Sequence, residues 1–83
     1  MKVEIRYFAS IREAVGVAAE SVETTADTLA ALRDELIARD APHAQALARG
    51  RALRMALNQV MCRETASLLE GAEVAFFPPV TGG

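Results

Sequence analysis

The chain has 83 residues, enough for one small domain and too few for two. Nine Lys and Arg against eleven Asp and Glu leave a formal net charge of −2, so the chain lacks the basic surplus on which nucleic-acid binding depends. Apolar residues make up 52% and charged residues 24%, which is typical of a globular protein. The single cysteine excludes an internal disulfide and any zinc site built on several cysteines.

The first half of the chain begins with two predicted strands separated by a short helix. Apolar and charged residues alternate over Met1–Phe8, which is typical of a half-buried strand. Ser10 and Glu13 have the spacing of a helix capping box, and Gly16 can end a short helix there. A second, weaker strand candidate covers Glu20–Thr25.

The main helix is predicted in the middle of the chain. Asp27 or Thr28 can cap it, and it runs to about Arg39 before Pro42 stops it. A further short helix is expected over residues 44–49. The apolar stripe of the main helix has a spacing of i, i+3, i+7 and i+8, on Leu29, Leu32, Leu36 and Ile37.

The second half of the chain returns to strands. Residues 53–61 form a strand pattern interrupted by Asn58-Gln59, and a turn around Gly71 precedes a last strand over residues 74–77. Strands and one main helix in this order predict an α+β domain over residues 1–77, with the helix packed across one face of the sheet.

Residues 78–83 form the predicted tail. Pro78 and Pro79 have no amide donor and favour an extended, stiff conformation, so they end the last strand. Gly82 and Gly83 have no side chains and can pass through a narrow channel. Six residues at ~3.3 Å each reach about 20 Å. The tail is therefore built to present the terminal carboxylate of Gly83.

These motifs resemble one family, the small sulfur-carrier subunits of molybdopterin synthase. The resemblance covers essentially the whole chain except the Ala41–Arg51 segment, which carries no family signature. It implies a ubiquitin-like β-grasp fold, in which a mixed sheet carries one main helix and a free tail. The matching motifs are Phe8-Ala9-x-x-Arg12-Glu13, Asn58-Gln59, and the closing run from Gly71 through Glu-Val-Ala-Phe-Phe-Pro-Pro-Val-Thr to Gly82-Gly83.

The resemblance also implies a mechanism and a set of partners. An activating enzyme similar to that of ubiquitin uses ATP to adenylate Gly83, and a sulfur donor protein then converts it to a thiocarboxylate. The large catalytic subunit, expected in a heterotetramer with this chain, uses that sulfur to turn cyclic pyranopterin monophosphate into molybdopterin. On this interpretation the chain itself is a non-catalytic sulfur donor, binds no cofactor, and leaves ATP to the activating enzyme.

A docking surface follows from strand phase as well as from the resemblance. Phe8 follows Tyr7 and Phe77 follows Phe76, so both phenylalanines point away from the core side of their strands. The alternative is that the short helix or a loop covers the two rings. The resemblance implies that Gly82 and Gly83 form the reactive end and that the partner-binding residues are Phe8, Met61, Phe77, Pro78, Pro79, Val80 and Thr81.

Four other features are less specific. Cys62 could accept a persulfide, but an inert, small apolar role is the favoured interpretation. We expect His43 to lie exposed in a loop, with no second ligand near it in sequence. Arg49, Arg51 and Arg54 form a small basic cluster that suits either an acidic partner or solvent. Ser10 is expected to be a helix cap rather than a nucleophile.

Three other functions stay open on sequence grounds. A carrier for thiazole formation in thiamine synthesis would also end in Gly-Gly. A protein modifier would form isopeptide bonds with lysines, and Lys2 is the single lysine of this chain. A plain interaction module would not need its tail. Because the chain opens on Met1-Lys2-Val3-Glu4, without a signal-peptide core or a run of ~20 apolar residues, we expect a cytoplasmic protein with no membrane partner.

Overall fold

The computed structural model describes residues 1–79, which form a mixed five-stranded sheet with three helices against one face. In chain order the elements are β1 (Lys2–Tyr7), α1 (Ala9–Val15), β2 (Ala19–Glu23), α2 (Leu29–Arg39), α3 (Ala41–Leu47), β3 (Arg54–Leu57), β4 (Val60–Cys62) and β5 (Glu73–Phe77). None of the helices within the described residues is long and apolar enough to cross a membrane.

The sheet has the strand order β2-β1-β5-β3-β4. The central strands β1 and β5 are parallel, and the other neighbours are antiparallel. The first and last strands of the domain therefore lie side by side, which places the end of β5 next to the end of β1. This confirms the predicted α+β sheet with its main helix on one face.

One apolar core lies between the sheet and the helices. Every second residue of β1 and β5 points into it, as period-two alternation requires. The predicted stripe of α2 faces the same core, although Ile37 is only partly buried. The fully buried side chains of these three elements are Val3, Ile5, Tyr7, Val74, Phe76, Leu29, Leu32 and Leu36.

Two of the predicted helix ends of α1 and α2 are confirmed, and one is wrong. The Thr28 hydroxyl caps α2 by accepting a hydrogen bond from the Ala31 amide at 3.2 Å, and Gly16 ends α1 with a left-handed φ of 96°. The predicted capping box at Ser10 is wrong. The helix begins at Ala9, one residue before Ser10, so Phe8 occupies the N-cap of α1. The Phe8 side chain has no hydrogen-bond acceptor and makes no cap.

The region between α2 and β3 also differs from the prediction. Pro42 does not stop α2, which ends at Arg39, but lies in the first turn of α3. Proline is tolerated there because the first amides of a helix have no partner within the helix. The carboxylate of Asp40 caps α3 by accepting from the His43 amide at 2.9 Å. The short helix therefore begins three residues earlier than expected.

Both predicted turns are confirmed. Asn58 and Gln59 have φ angles of 51° and 69°, as the tight two-residue hairpin between β3 and β4 requires. The Asn58 side chain also accepts a hydrogen bond from the Glu73 amide at 3.0 Å, which ties the hairpin to β5. Gly71 has a φ of 79°, which favours glycine, and it leads directly into β5.

The charged side chain of Arg33 is buried, although Arg33 lies outside the apolar stripe of α2. Its Nε and Nη2 atoms donate to the carbonyl oxygens of Leu47 and Ala48, both at 2.7 Å. Its Nη1 lies 3.3 Å from the carboxylate of Glu64. These bonds satisfy carbonyls at the end of α3 and tie that helix to α2 and to the segment after β4.

Candidate functional site

The sheet face opposite the core carries the predicted docking residues. On β5, Phe76 is fully buried, whereas Ala75 and Phe77 alternate onto the outer face and are partly exposed. Phe8, the residue after β1, is 45% exposed. Within residues 1–79, neither α1 nor a loop buries Phe8, and its role in docking stays a prediction.

Phe8 and Phe77 form an aromatic pair on this face. Their ring centroids are 6.5 Å apart and their planes meet at 86°, an edge-to-face arrangement that aromatic rings favour. The backbone holds the pair in place, because the Phe8 amide donates to the Phe76 carbonyl at 3.1 Å. The contact therefore depends on the parallel pairing of β1 with β5, the first and last strands.

A shallow apolar recess surrounds the aromatic pair. It is lined by Phe8, Ala9, Ala75, Phe77, Pro78 and Pro79. Both prolines are partly buried, so the first two residues of the predicted tail lie against the domain instead of standing clear of it. The root of the tail and the aromatic pair therefore form one continuous apolar surface.

Met61 shares the outer face but lies farther away. It is 61% exposed, and the register across the sheet runs from Met61 to Ala56 and from Ala56 to Ala75. This places Met61 two strands, about 10 Å, from β5. Met61 extends the apolar face towards the sheet edge at β4, and the centre of the recess is the aromatic pair.

The reactive end predicted from the sequence lies outside the described residues. Four of the predicted site residues belong to this segment: Val80, Thr81, Gly82 and Gly83. The last described residue, Pro79, lines the recess beside the aromatic pair.

His43 is not an exposed loop residue, contrary to the sequence-based expectation. It lies in α3, is only 5% exposed, and its ring bridges two carboxylates. Nδ1 is 2.6 Å from the Asp40 carboxylate and Nε2 is 2.8 Å from that of Glu20. The Tyr7 hydroxyl donates to the same Glu20 oxygen at 2.7 Å. The bridge connects α3 to the sheet on the core side, away from the recess.

The ionisation of this bridge follows from its hydrogen bonds. Burial alone would raise the pKa of Glu20, but hydrogen bonds from His43, Tyr7 and Arg39 hold that pKa below its usual value. The backbone amide and the ring of His43 lower the pKa of Asp40. Both carboxylates are therefore ionised at neutral pH, and the cluster stabilises the fold. In the sequence, Asp40-Ala41-Pro42 was the signal for a helix start that brings His43 next to Asp40.

Cys62 is partly buried, and its Sγ lies 4.0 Å from the Met55 carbonyl oxygen. Burial raises the pKa of the thiol, which disfavours the reactive thiolate. No group of three or more potential metal ligands occurs within residues 1–79. These facts favour the inert interpretation of Cys62.

Comparisons with known proteins agree with the resemblance. The model of the ThiS family matches residues 5–83. The molybdopterin synthase sulfur carrier subunit of Escherichia coli K12 is 42% identical over 81 residues, which cover 98% of this chain and 99% of that protein.

Two solved structures share the fold over the full length of both chains. SAMP1 from Haloferax volcanii is 26% identical, with a TM-score of 0.77. A chain in the complex of subunits 1 and 2 of the molybdopterin-converting factor from Helicobacter pylori 26695 is 27% identical, with a TM-score of 0.67. The fold is therefore the ubiquitin-like β-grasp, as the resemblance implied.

Proposed function

The chain belongs to the ThiS family, and from this premise we propose that it is the sulfur-carrier subunit of a molybdopterin synthase. The E. coli relative of that name matches almost the whole chain. The structural observation that carries the proposal is the exposed aromatic pair at the root of the tail. The pair lies beside Pro79, which precedes Gly83 by four residues, so a partner that docks there is close enough to receive the terminal glycine.

The proposed chemistry takes place at the carboxylate of Gly83. This group is ionised at neutral pH and does not donate its acyl group unaided. An activating enzyme joins the carboxylate to the AMP part of ATP and releases pyrophosphate. The outer sulfur of a persulfide on a donor protein then attacks the adenylate and displaces AMP. A second thiol cleaves the resulting S–S bond and forms a disulfide with the donor, so that Gly83 ends in a thiocarboxylate. The net change at the chain end is one oxygen replaced by one sulfur.

The proposed partner for the next step is the large subunit of the synthase. It binds the recess around the aromatic pair, and the tail enters its active site. The thiocarboxylate sulfur attacks cyclic pyranopterin monophosphate there, and two such transfers supply the two dithiolene sulfurs. The H. pylori complex of subunits 1 and 2 supports this assembly for the family, and a heterotetramer is the proposed form.

Mass spectrometry tests the proposal directly. The chain is incubated with the activating enzyme, ATP, a persulfide donor and a thiol reductant, and its intact mass is measured. We expect a mass increase equal to sulfur minus oxygen, located by fragmentation at Gly83. The loaded chain, mixed with the large subunit and the pterin substrate, should lose that sulfur as molybdopterin forms.

The same experiment distinguishes the alternatives. Consumption of the sulfur by a thiazole synthase, and not by the large subunit, would identify a thiamine carrier. Isopeptide products on protein lysines would identify a modifier. A chain that never gains sulfur would contradict the carrier function altogether.

A further inference from the structure

Two arginines, Arg54 and Arg63, form what we call the arginine pair. Met55 of β3 pairs with Cys62, the last residue of β4, so Arg54 directly precedes and Arg63 directly follows the last residue pair of this hairpin. Both residues are exposed. On its other side Arg54 pairs with Phe77 of β5. A row across the outer face therefore runs from the arginine pair to the aromatic pair.

The arginine pair has no compensating charge within residues 1–79, where no carboxylate lies within ion-pair distance of either guanidinium. The acidic residue next to Arg63 in the chain, Glu64, already has cationic partners, because Arg33 and Arg49 bind it. Within the described residues, neither guanidinium of the arginine pair therefore contributes an ion pair to the fold.

The other members of the basic cluster in the sequence behave differently. Arg49 contacts the carboxylates of Asp34 and Glu64, and Arg51 donates to the backbone oxygen of Gln45 at 2.9 Å. These two arginines stabilise loops and helix ends of their own chain. Arg54 alone of the three belongs to the docking face.

We propose that the arginine pair binds carboxylates on the partner protein whose apolar pocket receives Phe8 and Phe77. This inference rests on the proposed function, because it takes the large subunit as that partner. Guanidinium groups form directed, often bidentate hydrogen bonds with carboxylates. The aromatic pair is then the apolar centre of the interface, and the arginine pair is its polar rim.

The occupant of this face is a protein and not a nucleic acid. The chain has a net charge of −2, and Glu4 and Glu73 lie opposite each other on the same outer face. Two arginines next to an apolar recess suit a compact acidic patch rather than a phosphate backbone. Charges at an interface rim act mainly on the association rate and on the choice between partners.

The test measures association with the purified large subunit at two salt concentrations. Arg54→Glu and Arg63→Glu are compared with the wild-type chain, and Arg51→Glu is the matched charge-reversal control. We expect each pair variant to associate about tenfold more slowly at 0.1 M salt. The difference should nearly vanish at 1 M salt, because the Debye length falls from ~10 Å to ~3 Å. Arg51→Glu should associate like the wild type at both concentrations.

Thermal melting separates docking from a structural role. Neither arginine makes an ion pair within residues 1–79, so the melting temperature of each charge-reversal variant should stay close to that of the wild type. If a glutamate variant does not fold, the corresponding glutamine variant, Arg54→Gln or Arg63→Gln, is used in its place. We expect it to slow association in the same direction but by a smaller factor.

The possible failures are distinguishable. If the pair variants associate at the wild-type rate at 0.1 M salt while Phe77→Ala binds weakly, the arginine inference is wrong and the carrier proposal stands. A lower melting temperature with unchanged association would likewise assign the arginine pair a structural role. If the wild-type chain does not bind the large subunit, both proposals are overturned.

Discussion

Replacing Phe77 by alanine tests the docking face most directly. The Phe77 ring lies on the outer face, is partly exposed, and makes an edge-to-face contact with the ring of Phe8. Its chain neighbour Phe76 is fully buried and stacks on Tyr7, with ring centroids 6.2 Å apart and an angle of 18° between the planes. Two identical substitutions at adjacent positions should therefore have different consequences.

The expected loss of binding follows from the exposure of the Phe77 ring. Full burial of a phenylalanine contributes ~1.5–3 kcal/mol, and part of this ring is already buried in the free chain. Truncation also frees the Phe8 ring, which the partner must then order on binding at a cost of about 0.5–1.5 kcal/mol. Together these give about 2 kcal/mol, typical of a central interface anchor. The dissociation constant for the large subunit should rise roughly thirtyfold.

The control substitution, Phe76→Ala, should act on the fold. A buried phenylalanine truncated to alanine costs ~3–5 kcal/mol, which is a large share of the stability of a small domain. The melting temperature should fall by at least about 12 °C. Calorimetric titration and thermal melts of both variants separate the two effects. If Phe77→Ala melts early and Phe76→Ala only binds weakly, the docking face is assigned wrongly.

The remaining predictions concern the tail, the thiol and the histidine bridge. Deleting Gly82 and Gly83 should abolish sulfur transfer with the melting temperature unchanged, and an active truncated chain would disprove the carrier function. Cys62→Ser should load sulfur normally and lose at most ~1 kcal/mol of stability, so a folded variant that fails to load would show a chemical role. His43→Ala should lower the free energy of unfolding by ~1–3 kcal/mol, measured by urea titration, because the partly buried Glu20 carboxylate loses a hydrogen-bond partner. Since the folded-state pKa values of Glu20 and Asp40 are lowered, stability should be fully present above about pH 5 and decline as the pH falls through the folded pKa values, less steeply in His43→Ala. An unchanged acid transition would contradict this.

The docking face could be predicted from sequence because strand alternation is a local rule. Once Tyr7 and Phe76 are assigned to the core, Phe8 and Phe77 must point the other way. The pairing of Met55 with Cys62 was also within reach of the sequence, because a two-residue turn at Asn58-Gln59 determines which residues face each other across the hairpin.

The histidine bridge and the buried arginine could not be predicted by such local rules. Helical periodicity assigns a charged residue such as Arg33 to solvent, but its hydrogen-bond partners come from the end of another helix. His43 is buried because α3 brings it against Glu20 of β2, which is 23 residues away in sequence. Contacts of this kind depend on tertiary packing, and Pro42 was misinterpreted because it can begin a helix as well as end one.

The aromatic pair and the arginine pair on the outer face suit a carrier that must bind two partners in turn. In the proposed cycle the activating enzyme and the large subunit must each reach Gly83, and the four residues after Pro79 span no more than about 14 Å. Both partners must therefore dock near the aromatic pair, one after the other. A small apolar centre limits affinity, while charged side chains at the rim speed association without lengthening the complex. Since the core and the histidine bridge lie on the opposite face, residues of the docking face can change to suit a partner without loss of the fold.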